Sequence, residues 1–290
     1  MPVPAHRFVA AAPVMRLRSL LFVPGDRPER FAKAADSGAD AIILDLEDSV
    51  SLDNKQRARD AVGDYLGQPA PVTRFVRINP VDGDYLQADL LAAADADGIV
   101  LPKAQGAETV RTLLGKIASP IPVLPIATET PQAIFGLGSY GEVADRLCGL
   151  TWGAEDLPAA IGAISSRRPD GAYTSPYEMA RALTLFGAHA AKVAAIETVY
   201  PAIKDEAGLK AYADRGAFDG FTGMMALHPA QVPIINAAFT PTAAQIDQAR
   251  EIVEAFANAP GAGVLMLNGK MVDAPHLVQA KRLLARAGLA

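Results

Sequence analysis

Eight short apolar runs, separated by longer segments with helical periodicity, are the feature that most constrains the fold of this chain. The runs are Leu20–Val23, Ala41–Leu46, Phe75–Ile78, Ile99–Leu101, Val123–Ile126, Leu147–Trp152, Ala191–Ile196 and Phe218–Thr222. Several of them are apolar throughout, which is typical of parallel strands that are covered on both faces. The runs therefore predict a buried parallel sheet rather than an antiparallel sheet with one face in water.

The segments between the runs have the pattern of amphipathic helices. In Lys55–Leu66, for example, apolar residues recur at intervals of three and four, which marks one face of a helix. The other helical segments are Pro28–Ser37, Ala107–Ile117 and Glu206–Asp214. Alternating strands and helices predict a parallel sheet with crossover helices. Eight such repeats favour an α/β fold closed into a TIM-like (β/α)8 barrel.

We expect three segments along the chain: a loose tail at 1–15, the barrel at 16–260, and a C-terminal helical appendage or lid at 261–290. A long amphipathic helix is predicted from Pro241 to Asn258, with Thr242 as its N-cap. The last segment contains a short apolar run, a turn at Gly269 and a final helix. It is too short to form an independent domain.

Composition excludes several classes of protein. Half of the 290 residues are hydrophobic and 20% are charged, which is the reverse of a disordered chain. The net charge of -5 gives no electrostatic footprint for nucleic acid or anionic lipid. The single cysteine, Cys148, cannot form an internal disulfide, and no apolar run is long enough to span a bilayer. We therefore expect a cytoplasmic protein that binds neither nucleic acid nor membrane.

Ionisable residues concentrate where the predicted strands end, which is where barrel enzymes carry their chemistry. They are Asp45, Glu47, Asp48, Arg77, Lys103, Glu129, Glu155 and Asp156. Carboxylates on neighbouring strand ends, without a Cys or His cluster, predict an oxygen-ligand site suited to Mg²⁺ or Mn²⁺. Each carboxylate alone is also compatible with a helix cap or a solvated loop. Lys103 could form a Schiff base, but the surrounding carboxylates favour an ion pair.

Other catalytic signatures are absent from the sequence. No G-x-G-x-x-G motif follows a strand, and the sequence contains no P-loop, no G-x-S-x-G elbow and no metal-spaced Cys/His set. Cys148 lies inside an apolar run and is interpreted as a core residue rather than a nucleophile.

With these residues in view, the sequence resembles the citrate lyase β-subunit-like branch of the hydroxy-oxo-acid aldolase/citrate lyase family. This branch includes the malyl-CoA and citramalyl-CoA lyases. The resemblance runs from Arg16 onward and has seven separate anchors in order. They are RSLLFVPG at 18–25, LDLED at 44–48, VRIN at 76–79, LPK at 101–103, ETP at 129–131, GAED at 153–156 and LHPAQV at 227–232.

The resemblance implies an Mg²⁺ site on the barrel, with Glu129 and Asp156 as the direct ligands. Arg77 matches the arginine that contacts the substrate carbonyl or enolate. Asp45 and Asp48 match residues that orient metal-bound water, and Lys103 lies beside them as an ion-pair partner. The resemblance also implies a homotrimer or homohexamer.

A second group of implied residues concerns the acyl carrier and the acid/base. Arg18 and the Pro24-Gly25 turn match positions that contact the phosphate–pantetheine portion of the carrier. Asp273 matches the catalytic aspartate of CoA-dependent members, which reaches the site of a neighbouring subunit, and we expect burial to raise its pKa.

Two positions depart from the family pattern. Met224 stands where relatives often have lysine, and Glu197 stands where they often have aspartate. If that lysine binds CoA phosphates, Met224 weakens a standard CoA pocket. The longer Glu197 carboxylate is expected to alter the acyl group that is accepted.

The expected activity is a carbon–carbon lyase that cleaves a 3-hydroxyacyl-CoA thioester of the citramalyl, malyl or citryl type through an enolate. Three alternatives stay open: a 2-oxo-acid aldolase that releases pyruvate, a malyl-CoA-type thioesterase, and a subunit of a larger citrate lyase complex that acts on an acyl-carrier partner. The sequence alone does not identify the acyl group.

Overall fold

The computed structural model describes residues 15–117 and 120–289, and its largest feature is a parallel eight-stranded sheet. The strands are β1 (Ser19–Pro24), β2 (Ala41–Asp45), β3 (Thr73–Arg77), β4 (Gly98–Leu101), β5 (Val123–Pro125), β6 (Gly149–Thr151), β7 (Ala194–Glu197) and β8 (Gly223–Ala226). Their spatial order is β5-β4-β3-β2-β1-β8-β7-β6. Isolated parallel bridges from Val123 to Leu147 and from Ile126 to Thr151 join the two edges. The sheet is thus a nearly closed barrel, which confirms the predicted TIM-like fold.

Helices surround the barrel in the order that crossover connections require. They are α1 (Phe31–Ala35), α2 (Lys55–Leu66), α3 (Leu86–Ala92), α4 (Ala107–Leu114), α5 (Pro131–Gly136), α6 (Asp156–Ile161), α7 (Ser175–Ala191), α8 (Glu206–Asp219) and α9 (Val232–Ala238). Short 3-10 turns lie at 28–30, 52–54, 137–146 and 229–231. All eight strands are parallel, so their carboxyl ends share one rim of the barrel.

The barrel has two apolar layers, because side chains alternate along each strand. Leu20, Ile43, Phe75 and Leu124 belong to a small cluster that fills the barrel interior. The alternate residues pack outward against the helices in a much larger cluster. This continuous packing holds the strand ends, and the side chains that follow them, in fixed relative positions.

The predicted eighth strand, Phe218–Thr222, is wrong. Helix α8 continues to Asp219 and Gly220 ends it with a φ of +114°, so the strand begins only at Gly223. The apolar run combines two residues that have different environments. Phe218 lies on the last turn of the helix and is 92% exposed, whereas Phe221 is buried in the connection to the strand. The seventh strand also starts later than predicted, because α7 extends to Ala191.

Beyond the barrel, the chain forms an arm that consists of α10 (Ala243–Ala257), β9 (Val264–Leu267), β10 (Lys270–Asp273) and α11 (Ala274–Arg286). Thr242 caps α10 as predicted, in a reciprocal capping box with Gln245. The two strands form an antiparallel hairpin. The arm has its own small core, which is separate from both barrel clusters and contains Ala249, Ile252, Val272, Ala280 and Leu284.

One sequence prediction falls outside the described residues, and another concerns the helices within them. The loose tail predicted at 1–15 falls almost entirely on residues 1–14, which lie outside them. Among the helices of the described ranges, none combines the length and the apolar character that a membrane crossing requires.

Candidate active site at the carboxyl rim

A cavity of about 410 Å³ opens at the carboxyl ends of the strands. Six residues predicted from the sequence line it: Pro24, Asp45, Asp48, Arg77, Glu129 and Asp156. The lining also contains apolar side chains: Phe22, Ile126, Val199, Met225 and Leu227. A larger groove of about 630 Å³ lies between α8, α9 and the arm, but it is mostly apolar and lacks the strand-end carboxylates. The rim cavity is therefore the candidate active site.

Arg77, the last residue of β3, is held rigidly beside the cavity. Its Nε and Nη2 donate to the two carboxylate oxygens of Asp45, each at 2.7 Å, in a bidentate pair. Its Nη1 lies 2.9 Å from Glu47 Oε2, and its guanidinium stacks 4.9 Å from the ring centre of Phe22. Burial alone would lower the pKa of Arg77, but the charge of Asp45 outweighs it and raises the pKa. Arg77 is a fixed positive charge at the cavity wall.

Asp45 is the ion-pair partner of Arg77. It is 1% exposed, and its carboxylate also accepts hydrogen bonds from the backbone N–H groups of Glu47 and Ser49. Burial works against the charged form, yet the adjacent Arg77 and these donors hold the pKa of Asp45 below its usual range. Asp45 therefore positions Arg77 and stays ionised.

Glu129 follows β5 and is almost completely buried, at 4% exposure. Its Oε2 accepts the backbone N–H of Lys103 at 2.5 Å. Gly153 packs directly against it: a Cβ at residue 153 would lie 2.9 Å from Glu129 Cγ, so only glycine fits there without displacement. Burial raises the pKa of Glu129 well above its usual range. A positive charge close to Glu129 would therefore stabilise its ionised form.

Asp156 begins α6 and reaches the same cavity from β6. Its side chain is 34% exposed, and its Oδ1 lies 3.3 Å from Lys103 Nζ. The same Nζ lies 3.0 Å from Glu47 Oε1 and 3.9 Å from Asp48 Oδ2. Burial acts against the ammonium, but the charges of Glu129 and Glu47 outweigh it and raise the pKa of Lys103. A charged ammonium therefore links three carboxylates from two strand ends, those of β2 and β6, and ion pairing is favoured over a Schiff base.

The backbone of Lys103 is unusual, with a φ of +52° in the left-handed region that disfavours a non-glycine residue. This conformation turns the N–H toward Glu129 while the side chain extends toward Glu47 and Asp156. Backbone strain of this kind persists where the surroundings impose it, and it is common at functional sites.

Glu47 is a site residue that sequence reasoning noticed at the strand end but did not assign a role. It is 3% exposed and pairs with both Arg77 and Lys103, and burial raises its pKa. The buried Lys55 fixes its backbone by donating to the carbonyls of Leu46 and Glu47 at 2.7 and 2.8 Å. The sequence feature that could have identified Glu47 is its position between two predicted site residues, Asp45 and Asp48. Successive side chains at a strand end point in different directions, so a residue between two site residues can reach another part of the same site.

The Pro24-Gly25 turn closes one side of the cavity. Pro24 lines the cavity, and the N–H of Gly25 donates to the carbonyl of Asp45 at 2.8 Å. A Cβ at residue 25 would lie 2.6 Å from that carbonyl oxygen, so the close approach of the two loops requires glycine. The turn belongs to the rim, as the sequence predicted.

Arg18 does not lie at this cavity, and its predicted contact with the carrier stays a prediction. It precedes β1 and therefore lies at the amino end of the barrel, opposite the rim. Its guanidinium pairs with Asp40 at 2.8 and 2.9 Å and donates to Thr240 at 2.8 Å. The anchor motif spans the whole strand, so its first residue and its final turn lie at opposite ends of the barrel.

Asp273 is also away from the cavity within its own subunit. It is the N-cap of α11, where its Oδ1 accepts the backbone N–H of His276 at 3.4 Å and lies 2.5 Å from His276 Nδ1. The hydrogen bond from His276 lowers the pKa of Asp273, whereas a raised pKa was expected. In the isolated subunit this residue has a capping role.

The two departures from the family pattern lie behind the cavity rather than in it. Met224 is fully buried and packs outward from β8 against the helix layer, so a side chain at this position does not face solvent. Glu197 is also fully buried and bonds to Trp152, Arg181 and Tyr212. Neither residue lines the cavity, so any effect of Met224 on carrier binding or of Glu197 on the acyl group would be indirect.

The donor set determines which metal the rim could hold. Within residues 15–117 and 120–289, no three Cys, His, Asp or Glu side chains converge into a complete protein cage. Glu129 and Asp156 instead face the cavity as two carboxylates, which leaves other coordination positions to water and substrate. Six rim carboxylates against Arg77 and Lys103 leave a formal charge of −4 when all are ionised. Such a site fits a hard divalent cation and not zinc or copper.

Comparison with known proteins supplies independent findings. The HpcH/HpaI aldolase/citrate lyase family model matches residues 18–229. The chain is 37% identical over 280 residues to a (3S)-malyl-CoA thioesterase of Cereibacter sphaeroides, covering 93% of this chain and 94% of that protein. It is 38% identical over 271 residues to a citrate lyase subunit beta-like protein of Mycobacterium tuberculosis, covering 92% and 94%.

A solved structure of similar fold is CitE from Mycobacterium tuberculosis in complex with magnesium, acetoacetate and coenzyme A. It is 36% identical in sequence, with a TM-score of 0.81, and the match covers 94% of this chain and 98% of CitE. A complex of the same protein with magnesium and pyruvate has a TM-score of 0.74 at 34% identity, covering 93% and 98%.

Proposed function

Because this chain belongs to the HpcH/HpaI aldolase/citrate lyase family, we propose that it is an Mg²⁺-dependent carbon–carbon lyase acting on a 3-hydroxyacyl-CoA thioester. The products would be an acyl-CoA and an oxo acid. The observation that carries the proposal is the convergence of Arg77, Glu129 and Asp156 on one cavity. Magnesium, acetoacetate and coenzyme A bound to the related CitE support the cofactor and the class of ligand.

Cleavage between C2 and C3 requires a base for the C3 hydroxyl proton, stabilisation of the enolate oxygen and an acid that protonates C2. Arg77 suits the second task, because Asp45 and Glu47 fix its guanidinium before the substrate arrives. A preorganised charge stabilises developing negative charge without a cost of reorganisation. The apolar wall formed by Phe22, Ile126 and Val199 would exclude water from the enolate.

Glu129 and Asp156 are the proposed ligands of the metal. A bound Mg²⁺ would supply Lewis acidity and a template for the carboxylate and hydroxyl oxygens of the substrate. Asp48 lies at the cavity edge, where its exposed carboxylate can accept hydrogen bonds from water. Mn²⁺ is a plausible substitute because it accepts the same oxygen ligands.

We further propose that the acid/base is Asp273 of a neighbouring subunit, since Asp273 does not reach the cavity of its own subunit. Association is supported by the arm, where Val264, Met266 and Met271 are each more than half exposed. Exposed apolar side chains in a cluster are typical of a protein–protein contact. A homotrimer or homohexamer is the proposed assembly, and light scattering with a mass near 30.4 kDa would contradict it.

The direct test is a screen of malyl-, citramalyl- and citryl-CoA, with free oxo acids as controls. We expect oxo-acid release from at least one thioester, loss of activity with EDTA and recovery with Mg²⁺ or Mn²⁺. Glu129→Gln and Asp156→Asn should each lose metal-dependent activity and keep the fold. Normal turnover after chelation, or turnover of free oxo acids alone, would refute the proposal.

A second candidate is a thioesterase of the malyl-CoA type, which is supported by the (3S)-malyl-CoA thioesterase similarity. Here water would attack the thioester carbonyl, and the products would be free CoA and the hydroxy acid. The same screen separates the two activities, because a thiol reagent detects CoA whereas an oxo-acid reagent detects only the lyase products. Activity only with a thioester on an acyl-carrier protein would indicate the carrier-dependent alternative. A cytoplasmic location stays a prediction from the sequence.

A further inference from the structure

Glu197 forms the centre of a buried polar cluster directly behind the cavity. We define the Glu197 cluster as Trp152, Arg181, Glu197 and Tyr212. Glu197 Oε1 accepts the indole N–H of Trp152 at 2.5 Å and the hydroxyl of Tyr212 at 2.9 Å. The same oxygen accepts the backbone N–H of Thr198 at 3.0 Å. One carboxylate oxygen therefore connects the ends of β6 and β7 with α8.

The charge of Glu197 is balanced within the cluster. Its Oε2 accepts Arg181 Nε at 2.6 Å, and Arg181 Nη1 continues to Asp219 at 2.7 Å. The guanidinium lies 4.8 Å from the ring centre of Phe221. A buried carboxylate that is paired and saturated with donors holds its neighbours in one geometry, because any displacement leaves a buried polar group unsatisfied.

Trp152 carries this constraint into the active site, because the chain runs from it through Gly153 to Asp156. Gly153 packs against Glu129, and its N–H donates to Thr128 Oγ1 at 3.1 Å. The segment is therefore fixed on one side to the loop of Glu129 and on the other side to Glu197. Of the two proposed metal ligands, Glu129 packs against this segment and Asp156 lies at its end.

We propose that Glu197 is a positioning residue, which sets Asp156 relative to Glu129 through the indole N–H of Trp152. The inference rests on the proposed metal site. It also gives Glu197 a role behind the site, since its carboxylate holds the Trp152 segment and the Thr198 backbone.

The structure offers a matched pair of variants for the test. Trp152→Phe and Tyr212→Phe each remove one donor to the same oxygen of Glu197 and keep an aromatic ring. Only Trp152 lies on the segment that leads to Asp156. Mn²⁺ binding to the full chain is measured by the loss of the free-ion EPR signal, with Mg²⁺ as competitor, and folding is checked by circular dichroism and melting temperature.

We expect Trp152→Phe to raise the Mn²⁺ dissociation constant about 10-fold, as is usual when a residue that orients a metal ligand is lost. Tyr212→Phe should stay within about twofold of wild type even where its melting temperature falls, because α8 carries no proposed ligand. Unchanged affinity in folded Trp152→Phe, or equal weakening in both variants, would overturn the inference.

Glu197→Gln provides a second test should Trp152→Phe not fold. The neutral amide keeps the size of the side chain but weakens the acceptor for the indole N–H, so metal affinity should again fall. Affinity equal to wild type would overturn the inference. Failure of the wild type to bind Mn²⁺, or binding that Glu129→Gln leaves unchanged, would instead overturn the proposed function and this inference together.

Discussion

The carboxyl rim and the arm differ in how firmly the chain itself determines their geometry. At the rim, bonded side chains from five strand ends surround one cavity, and Asp45 and Glu129 are almost completely buried; the five residues are Asp45, Arg77, Lys103, Glu129 and Asp156. On the arm, the Asp273 side chain is partly exposed, and its partner is His276 in the first turn of its own helix. The closed sheet brings the strand ends together, whereas the arm packs around a small core of its own that is separate from the barrel clusters.

This difference separates the part of the proposed site that one subunit forms alone from the part that would require a neighbouring subunit. Ion pairs at the rim fix Arg77 and Lys103 within each subunit, so the geometry of the proposed substrate site exists before any partner arrives. The arm has a small core of its own and an exposed apolar hairpin, which suit a protein–protein contact. Variants at the rim should therefore act in each subunit, and variants on the arm should act through the assembly.

The largest effect on turnover is expected at Asp273. If a neighbour's Asp273 is the acid/base, Asp273→Asn should lower kcat by roughly 10²–10⁴-fold with little change in KM. If Asp273 only caps α11, the variant should be nearly silent, because Asn caps a helix about as well as Asp. Steady-state kinetics on the full assembly distinguish these results.

A mixed assembly tests whether the contribution crosses subunits. Subunits with Asp273→Asn retain an intact rim, and subunits with Arg77→Ala retain an intact arm. Confirmed mixed oligomers should regain part of the activity that each variant lacks. Without any rescue, Asp273 would act within its own subunit or not at all.

At the rim, Arg77→Lys should lower kcat by roughly 10²–10³-fold, the usual cost of losing one preorganised charged donor. Lysine keeps the charge but cannot reproduce the bidentate pair with Asp45, so the charge loses its fixed position. Kinetics at saturating Mg²⁺ provide the measurement, with Arg215→Lys in an exposed pair as the control. Equal kcat for Arg77→Lys and wild type would show that orientation of the charge at the rim is unimportant.

The contrast between the rim and the arm also explains which parts of the fold and of the candidate site could be predicted from the sequence. Strand count, barrel class and the rim positions of Arg77 and Glu129 follow from periodicity, because parallel strands place their carboxyl ends together. Phe218 was assigned to a strand because an exposed aromatic on a helix end looks like a core residue in a linear pattern. The positions of Arg18 and Asp273 depend on the full path of the chain and on assembly, which local motifs do not encode.

A smaller effect is expected at Gly153, where the rim leaves no space. Gly153→Ala should destabilise the fold by about 1–3 kcal/mol, the usual cost of overpacking. It should also weaken activity, since the added methyl group would lie 2.9 Å from Glu129 Cγ. Gly138→Ala is the matched control, because a Cβ there meets nothing within 4 Å. Melting temperatures and Mn²⁺ affinities of the two variants give the comparison, and equal behaviour would contradict the tight packing of Gly153 on Glu129.

The smallest effect on turnover is expected at the amino end of the barrel, where Asp40 pairs with Arg18. Burial opposes ionisation of Asp40, but the hydrogen bonds and charge of Arg18 prevail and lower its pKa below the ordinary 3.8. The pair therefore stabilises the fold above about pH 4 and loses this contribution as the pH falls through the lowered pKa. Asp40→Asn should cost about 2 kcal/mol near neutral pH, the usual scale for a charged hydrogen-bonded pair. The gap in unfolding free energy between wild type and variant should narrow as the pH is lowered toward 3, as urea titrations at several pH values can measure. Because Arg18 lies opposite the rim, kcat and KM of the folded variant should match those of wild type. A raised KM for the thioester would contradict that separation and return Arg18 to the binding site.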